Sequence, residues 1–201
     1  MITLYHAPRS RSSSMVWLLE ELGVPYRIEL VPIIYGNGEG TPAPESYRAI
    51  HPHKKVPAID DAGKIAFECA GIAQYLCDAY PDAGLAPRIG APERAAYDTL
   101  LAYWAGVINP IATARFRGWD KDGPTGFGTF EDMEAFLSAK VAAASPFILG
   151  AHFTAADVLY GGAVEFFTGA GLLPKRDAYE AYASRLNARP ARQRALEKDN
   201  G

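Results

Sequence analysis

Residues 53–72 read HKKVPAIDDAGKIAFECAGI, and the order of features in this stretch decides the fold. Two short apolar runs, VPAID and KIAF, are separated by the turn residues DAG and predict a β-hairpin. Pro57 stands at the start of the first strand, where a residue without an N–H marks the edge or the end of a strand ladder. Glu68 and Cys69 follow the second strand and open a helical pattern, so a carboxylate lies at the mouth of a helix.

The residues before this stretch predict a strand, a helix and a second strand. The apolar run ITLYH comes first, and the helical pattern MVWLLEELG ends at Gly23, a residue type that favours helix C-termini. PYRIELV predicts the second strand, which should lie parallel to the first because a helix joins them. After a loop rich in Pro and Gly and a short helix within residues 45–52, the hairpin and its helix complete a βαβ-α-ββ-α unit.

The strand patterns stop near residue 81, and the rest of the chain has helical periodicity. We expect an α/β domain over residues 1–81, a linker over residues 82–89 and an all-α domain over residues 90–201. The helices predicted for the second domain cover residues 93–116, 129–144, 154–168, 176–188 and 190–199. Pro110 should bend the first of these helices.

The segment FTAADV carries a strong helix-start signal. Thr154 is the expected N-cap, and Asp157 stands three residues later in an aspartate version of the capping box. Phe153 and Val158 occupy the positions of a hydrophobic staple. We interpret this segment as a buried helix start in the second domain and assign it no catalytic role.

Composition and charge exclude several classes of protein. The 201 residues are 49% hydrophobic and 21% charged, as in ordinary globular domains, and the net charge of −3 indicates no nucleic-acid-binding surface. No apolar run is long enough to cross a membrane, and the N-terminal one is too short for a signal peptide. The expected location is therefore the cytoplasm.

The spacing of cysteine and histidine predicts neither a disulfide nor a metal site. Cys69 and Cys77 stand in one predicted helix, about 12 Å apart along its axis, which is too far for a disulfide. The spacing of zinc ligands does not occur among the four histidines, which are His6, His51, His53 and His152.

Four segments, taken together, resemble the cytosolic-type glutathione S-transferase family. They are LYHAPRSRS leading into LLEELG, then HPHKKVPAID, FECAGIAQYL and ILGAHFTAADV, and they cover essentially the whole chain. The first segment is similar to that of theta/zeta-like or bacterial members of the serine type. The resemblance implies a thioredoxin-like N-terminal domain, an all-helical C-terminal domain, a cis bond before Pro57 and a homodimer. It also implies glutathione as co-substrate, with no tightly bound cofactor.

The resemblance places the glutathione site in the stretch quoted first. The backbone of Val56, before Pro57, would pair with the extended ligand, although an ordinary edge strand is the alternative. Glu68 would meet the ligand's ammonium, and the N–H of Cys69 its α-carboxylate. The family usually has serine where Cys69 stands, and a thiol is the weaker hydrogen-bond donor. The residues expected near the glycine carboxylate of glutathione are Lys55 and His53.

The segment PRSRSSS holds the predicted catalytic hydroxyl. A thiol must lose its proton to attack, and a hydroxyl donating to the sulfur beside a helix N-terminus favours the thiolate. Ser10 matches the family's serine, Ser12 is the second candidate, and Tyr5 is an alternative that we assign to the core. Arg9 and Arg11 could raise the local potential. The Cys-x-x-Cys pattern of dithiol redox enzymes and the Ser-Ser-Cys pattern of the zeta class are both absent.

The resemblance therefore implies a glutathione transferase that activates the thiol and conjugates it to a small hydrophobic electrophile, without nucleic-acid or membrane partners. Two alternatives stay open. One is a glutathione-dependent isomerase, dehalogenase or disulfide reductase, and the other is a non-catalytic member that binds glutathione or another protein. The second-substrate pocket expected between the domains would be lined by Arg11, Tyr103, Trp104, Ile108 and Phe116.

Overall fold

The computed structural model describes residues 1–119 and 126–199. The order of elements confirms the predicted βαβ-α-ββ-α unit followed by helices. The elements are β1 (Ile2–His6), α1 (Ser13–Leu22), β2 (Tyr26–Leu30), a 3₁₀ turn (Glu45–Ala49), β3 (Ala58–Asp61), β4 (Lys64–Phe67), α2 (Cys69–Ala79), a 3₁₀ turn (Pro81–Ala83), α3 (Arg94–Tyr103), a π turn (Trp104–Ile108), α4 (Asn109–Arg117), α5 (Phe130–Ala142), α6 (Ala155–Gly169), α7 (Asp177–Asn187) and α8 (Pro190–Asp199).

The sheet of the N-terminal unit is mixed. Within the described ranges it has four strands in the order β2-β1-β3-β4. As predicted, β1 is parallel to β2, while β3 is antiparallel to both β1 and β4. Tyr5, Glu29, Ala58 and Phe67 form one row across the sheet. The C-terminal ends of β1, β2 and β4 and the beginning of β3 therefore lie at the same end of the sheet.

Most residues of helix α1 are buried in the N-terminal unit. Its apolar residues Met15, Val16, Leu18 and Leu19 are almost completely excluded from solvent. Gly23 ends the helix with φ of 70°, a conformation that glycine adopts without steric cost, and this confirms the predicted C-cap.

The C-terminal helix α8 packs on α1 through a buried carboxylate. Glu20 accepts hydrogen bonds from Arg194 Nε at 2.7 Å, from the hydroxyl of Tyr26 at 2.6 Å and from Lys198 Nζ. Burial alone would raise the pKa of Glu20, but these donors outweigh burial and lower the pKa to about 2. The network ties α1, β2 and α8 together.

The division into compact units differs from the expected one at its C-terminal end. Met1–Ala83 groups with Pro190–Gly201, and Gly84–Arg189 forms the second unit. The sequence analysis expects residues 90–201 to form one helical domain. The helical pattern of α8 is correct, but its partners on α1 and β2 are far away in the sequence, and helical periodicity does not reveal which surface a helix covers.

We expect Glu20→Gln to lower the free energy of unfolding by about 1–3 kcal/mol at pH 7, because Arg194 and Lys198 lose their charged acceptor. The lower figures are expected since both basic side chains are about half exposed and can turn to water. A group whose folded pKa is depressed contributes stability above its ordinary pKa, and that contribution is lost as the pH falls from about 4.5 toward 2. Urea unfolding at pH 7 and pH 3 tests this. An equal difference between the two proteins at both pH values would contradict it.

The second unit contains a long helical segment with an internal irregularity. Helix α3 runs into the π turn Trp104–Ile108, and α4 continues from it with Pro110 in its first turn. Because proline has no N–H to donate into the preceding turn, a wider turn before Pro110 is physically reasonable. The irregularity thus falls just before the proline that predicted it.

The predicted capping box at the start of α6 is confirmed. Thr154 is the N-cap, and Asp157 is completely buried. The two carboxylate oxygens of Asp157 accept hydrogen bonds from the N–H of Ile148 and of Thr154 and from the hydroxyls of Thr154 and Tyr182, at 2.8–3.2 Å. Asp157 therefore joins the loop before α6, the helix start and α7 in the core of this unit.

Two further observations bear on the class of protein. Cys69 and Cys77 are both buried, and neither takes part in a disulfide within the described residues. Among residues 1–119 and 126–199, no helix combines the length and the apolar character needed to span a membrane.

Candidate functional site

Three segments of the first unit converge at one end of the sheet, beside the N-termini of α1 and α2. The first is the loop of residues 7–12 after β1, the second is the segment before β3 that contains Pro57, and the third is the turn at Glu68 between β4 and α2. They converge because β1 and β4 end there and β3 begins there. The Cys69 thiol donates to the carbonyl oxygen of Arg11 at 3.6 Å and connects the third segment to the first.

The backbone of Val56 is available to a ligand. The Val56–Pro57 bond is cis, and β3 begins only at Ala58. In the part of the chain that the structure describes, no hydrogen bond reaches the N–H or the C=O of Val56. The Tyr47 hydroxyl donates to the carbonyl oxygen of Lys55 at 3.1 Å and holds the preceding residue in place. An extended peptide could therefore pair with Val56 as a one-residue strand addition.

Glu68 combines an unusual backbone with an exposed carboxylate. It is the N-cap of α2 with φ of 67°, a region that residues other than glycine seldom occupy. Its side chain is 75% exposed. The first N–H groups of α2 have no partners within the helix and carry the positive end of its dipole. This turn therefore presents a negative side chain next to a site that favours an anion.

The side chain of Cys69 is occupied inside the protein. Burial raises the pKa of the thiol to about 12, and the neighbouring Arg11 offsets only part of that effect. The group thus remains a neutral thiol whose hydrogen points to Arg11. Cys69 can offer a ligand its backbone N–H, but its sulfur is unsuited to nucleophilic attack.

His51 lies behind Glu68, and sequence reasoning did not select it. Its ring is buried, its Nδ1 accepts from the N–H of His53 at 3.1 Å, and its Nε2 lies 3.9 Å from Glu68 Oε1. Burial lowers the pKa of His51, although Glu68 opposes this effect. With Nδ1 as acceptor, the neutral ring carries its proton on Nε2 and faces the carboxylate with it. From the sequence, only the geometry of a turn at residues 51–53 could have indicated that His51 lies behind Glu68.

The basic residues before Val56 are solvent-facing to different degrees. Lys55 and His53 are exposed, in agreement with either a solvated turn or contact with a ligand carboxylate. Lys54 is less exposed and its ammonium lies 3.1 Å from a carboxylate oxygen of Glu45. Of the three, Lys54 is thus already paired within the protein.

The two candidate hydroxyls have different surroundings. Ser12 is completely buried, and its Oγ lies 2.7 Å from His6 Nδ1, 3.1 Å from both the N and the O of Ala7, and 2.7 Å from Ser10 Oγ. Ser10 is half-buried, and its Oγ also accepts from the Ser12 N–H at 3.1 Å. The hydroxyl that can still meet a ligand is therefore that of Ser10.

A buried histidine and a carboxylate stand behind these serines. His6 is completely buried at the end of β1, and its Nε2 lies 3.2 Å from Asp199 Oδ1 on α8, in a bent geometry that is poor for a hydrogen bond but close for charges. Asp199 also accepts from the Ser13 hydroxyl at 2.6 Å and, more weakly, from the Arg9 N–H at 3.4 Å. Burial raises the pKa of Asp199, but its donors outweigh burial and lower the pKa below the ordinary value.

The residues predicted for the second-substrate pocket belong to both units, so the pocket stays a prediction. Tyr5, the alternative to Ser10, is confirmed as a core residue against Tyr47. The indole N–H of Trp104 donates to the carbonyl oxygen of Leu159 at 2.9 Å. Of the other members, Arg11 is exposed in the first unit, Ile108 is fully buried and Phe116 is exposed, while the ring of Tyr103 lies 4.2 Å from that of Phe136 in a tilted arrangement.

Sequence comparison with known proteins matches about two fifths of the chain. The family model for the N-terminal domain of glutathione S-transferases matches residues 4–85. Over 80 residues the chain is 40% identical to glutathione S-transferase 3 of Schizosaccharomyces pombe, a match that covers 40% of this chain and 31% of that protein. The chain therefore matches about a third of the length of this relative.

Solved structures share the fold of the complete chain. A glutathione transferase from Methylococcus capsulatus has a TM-score of 0.81 at 24% identity, with 100% of this chain and 99% of that one covered. A sphingomonad glutathione S-transferase complexed with glutathione has a TM-score of 0.76 at 22% identity, with 98% of each chain covered.

The first unit has a thioredoxin-like fold with three segments that converge at one end of its sheet, and the second unit is helical. Residues 4–85 match the N-terminal domain of the glutathione S-transferase family, as the sequence analysis predicts for this part of the chain, and the chain shares the fold of solved glutathione transferases.

Proposed function

We propose that the protein is a glutathione transferase that binds glutathione at Val56 and Glu68 and uses Ser10 to stabilise the thiolate. The observation that carries the proposal is the open Val56 backbone at the same end of the sheet as the exposed Glu68 carboxylate and the N-terminus of α2. A γ-glutamyl peptide needs these three elements: a strand-like partner, an acceptor for its ammonium and donors for its carboxylate. Glutathione is the ligand of the sphingomonad structure with the same fold.

The thiol end of the ligand would lie near residues 7–12. The Ser10 hydroxyl is the donor we assign to the sulfur, because Ser12 is buried and already surrounded by four polar atoms. Donation to the sulfur favours the thiolate. A lone pair of the sulfur then forms a bond to an electrophilic carbon while the bond from that carbon to its leaving group breaks and the leaving group departs with the electron pair. Lys55 and His53 are assigned to the glycine carboxylate.

The remaining parts of the proposal rest on the family resemblance. They are a hydrophobic electrophile bound at the predicted second pocket, a cytoplasmic location and a homodimer. Cys69 is the residue that departs from the family pattern. Since its thiol is directed to Arg11, we assign recognition of the α-carboxylate to the Cys69 N–H and the end of α2 rather than to the side chain.

Calorimetric titration with reduced glutathione tests the proposal. We expect saturable binding by the unmodified protein and at least about tenfold weaker binding by Glu68→Gln, because a hydrogen bond to a charged group contributes roughly 1.5–3 kcal/mol. Glu39→Gln is the matched control, since it removes the same charge from an exposed loop residue of the same unit. Equal affinities of all three proteins would remove Glu68 from the site, and no binding by the unmodified protein would refute the proposed function.

A further inference from the structure

Asp199, His6, Ser12 and Ser10 form one continuous chain of contacts from the C-terminal helix to the candidate site. The successive separations are 3.2 Å from Asp199 Oδ1 to His6 Nε2, 2.7 Å from His6 Nδ1 to Ser12 Oγ, and 2.7 Å from Ser12 Oγ to Ser10 Oγ. His6 and Ser12 are completely buried, and Ser10 is half-buried at the open end. This series of contacts therefore connects the buried imidazole of His6 to the hydroxyl of Ser10 at the candidate site.

The directions of the hydrogen bonds that join His6, Ser12 and Ser10 follow from the charge of Asp199, which lies close to His6 Nε2. Asp199 is ionised, because its pKa lies below the ordinary value, and it can only accept. The His6 nitrogen that faces it, Nε2, therefore carries the proton of the neutral ring, and Nδ1 is left as the acceptor. The Ser12 hydroxyl has one hydrogen, and Nδ1 at 2.7 Å is a closer acceptor than the carbonyl oxygen of Ala7 at 3.1 Å.

The same reasoning gives the directions of the hydrogen bonds of Ser10. With its hydrogen directed to His6, the Ser12 oxygen accepts from the N–H of Ala7 and from the Ser10 hydroxyl. Ser10 accepts from the Ser12 N–H and keeps one lone pair toward the outside. In the resting protein Ser10 is thus an acceptor for an incoming thiol. It becomes a donor to sulfur only when the hydrogen bonds between Ser10, Ser12 and His6 have passed their protons inward.

We propose that Ser12, His6 and Asp199 form a proton relay behind Ser10, with His6 as the group that takes up the proton of the bound thiol. The inference rests on the proposed function, since it concerns how that thiol is activated. Ser10 is the member that touches the ligand, and the three others are positioning residues.

The proton balance of the relay is complete. The thiol S–H gives its proton to Ser10 Oγ, the original Ser10 proton passes to Ser12 Oγ, and the original Ser12 proton passes to His6 Nδ1. The products are a thiolate that accepts from Ser10 and an imidazolium that faces Asp199. One proton has moved inward, and the net charge of the site is unchanged. Asp199 is the charged side chain that the described residues place against the His6 ring.

The most direct test uses the unmodified protein with ¹⁵N-labelled histidine. Nitrogen chemical shifts report whether each ring nitrogen carries a proton. We expect His6 to be protonated on Nε2 alone in the free protein and on both nitrogens in the glutathione complex, at a pH where free glutathione is a thiol. The relay would be overturned if His6 carried its proton on Nδ1 alone in the free protein, or if the protonation of its ring nitrogens did not change on glutathione binding.

A variant adds a functional readout. Asp199→Asn removes the negative charge beside Nε2. Because His6 and Ser13 both contact Oδ1, the amide oxygen can take that place, and the imidazolium of the relay loses its charge partner while the packing is kept. We expect the rate of conjugation to fall by at least about tenfold and the pH midpoint of thiolate formation to rise by about one unit, with glutathione affinity nearly unchanged. Glu197→Gln is the matched control, because it removes the same charge from an exposed position of the same helix.

The outcomes separate the relay from the proposed function. If the unmodified protein binds glutathione and forms the thiolate but Asp199→Asn does the same at the same pH, the relay is wrong and the proposed function stands. An equal rise of the midpoint in Glu197→Gln would also refute the relay, since it would assign the effect to the overall charge of α8 rather than to the contact of Asp199 with His6. If the unmodified protein does not bind glutathione, both proposals fail.

Discussion

Ser10→Ala is expected to lower the turnover of glutathione conjugation about a hundredfold while glutathione affinity changes by less than about threefold. The hydroxyl contributes most when the sulfur carries a negative charge, so its loss affects the transition state more than the bound thiol. Removal of a single donor from a developing anion typically costs a hundredfold or more in rate. In this protein Ser10→Ala also removes the hydroxyl that would connect the bound thiol to Ser12.

Steady-state kinetics with an activated aryl chloride and calorimetry with glutathione measure the two quantities separately. Ser14→Ala is the control, because Ser14 lies one turn away at the start of α1 and is about as buried as Ser10. We expect it to leave both quantities unchanged. If Ser12→Ala abolished turnover while Ser10→Ala had no effect, Ser12 would be the hydroxyl at the sulfur and the assignment of Ser10 would be wrong.

Asp157→Asn is expected to lower the free energy of unfolding by about 3–5 kcal/mol, the largest stability effect of any single change we predict. Burial raises the pKa of Asp157, although its hydrogen bonds oppose this, and the carboxylate serves four donors without contact with water. Asparagine has one oxygen, so its amide nitrogen would face either the Ile148 N–H or the two donors of Thr154. A buried donor would then lose its acceptor and meet another donor.

The matched control is the N-terminus of α5, which has similar chemistry at the surface. The Thr129 side chain accepts from the N–H of Asp132, and its hydroxyl donates to the Asp132 carboxylate at 2.7 Å, but both residues are exposed. Asp132→Asn should therefore cost less than about 1 kcal/mol. Chemical unfolding followed by circular dichroism compares the two variants. If both variants lost a similar free energy of unfolding, the burial of Asp157 would not be the reason for its contribution to stability.

Local signals predicted most of the fold because they arise from neighbouring residues. The alternation of VPAID and KIAF around a turn, the apolar run that ends at Gly23 and the Thr154 capping box each need only a few residues to be physically determined. The segments of the candidate site were predictable for the same reason, since Glu68 stands where a strand passes into a helix.

The parts of the site that sequence reasoning missed depend on contacts between distant residues. In the sequence, His6 has only the residue type of a metal ligand, and Asp199 marks only the end of a helical pattern. Their 3.2 Å contact requires α8 to pack on α1, and this packing depends on Glu20 and its partners rather than on any motif near His6. The sequence offers Ser12 as an alternative to Ser10, whereas the structure places it behind Ser10 as a buried neighbour.

The central claim is that this chain binds glutathione and lowers the pKa of its thiol. Ultraviolet difference absorbance of the thiolate, recorded for glutathione bound to the unmodified protein across a pH series, measures this directly. The account predicts a saturable thiolate signal whose midpoint lies at least about one pH unit below the value near 8.5 that is typical of a free thiol. A midpoint equal to that of free glutathione, at saturating binding, would contradict the account.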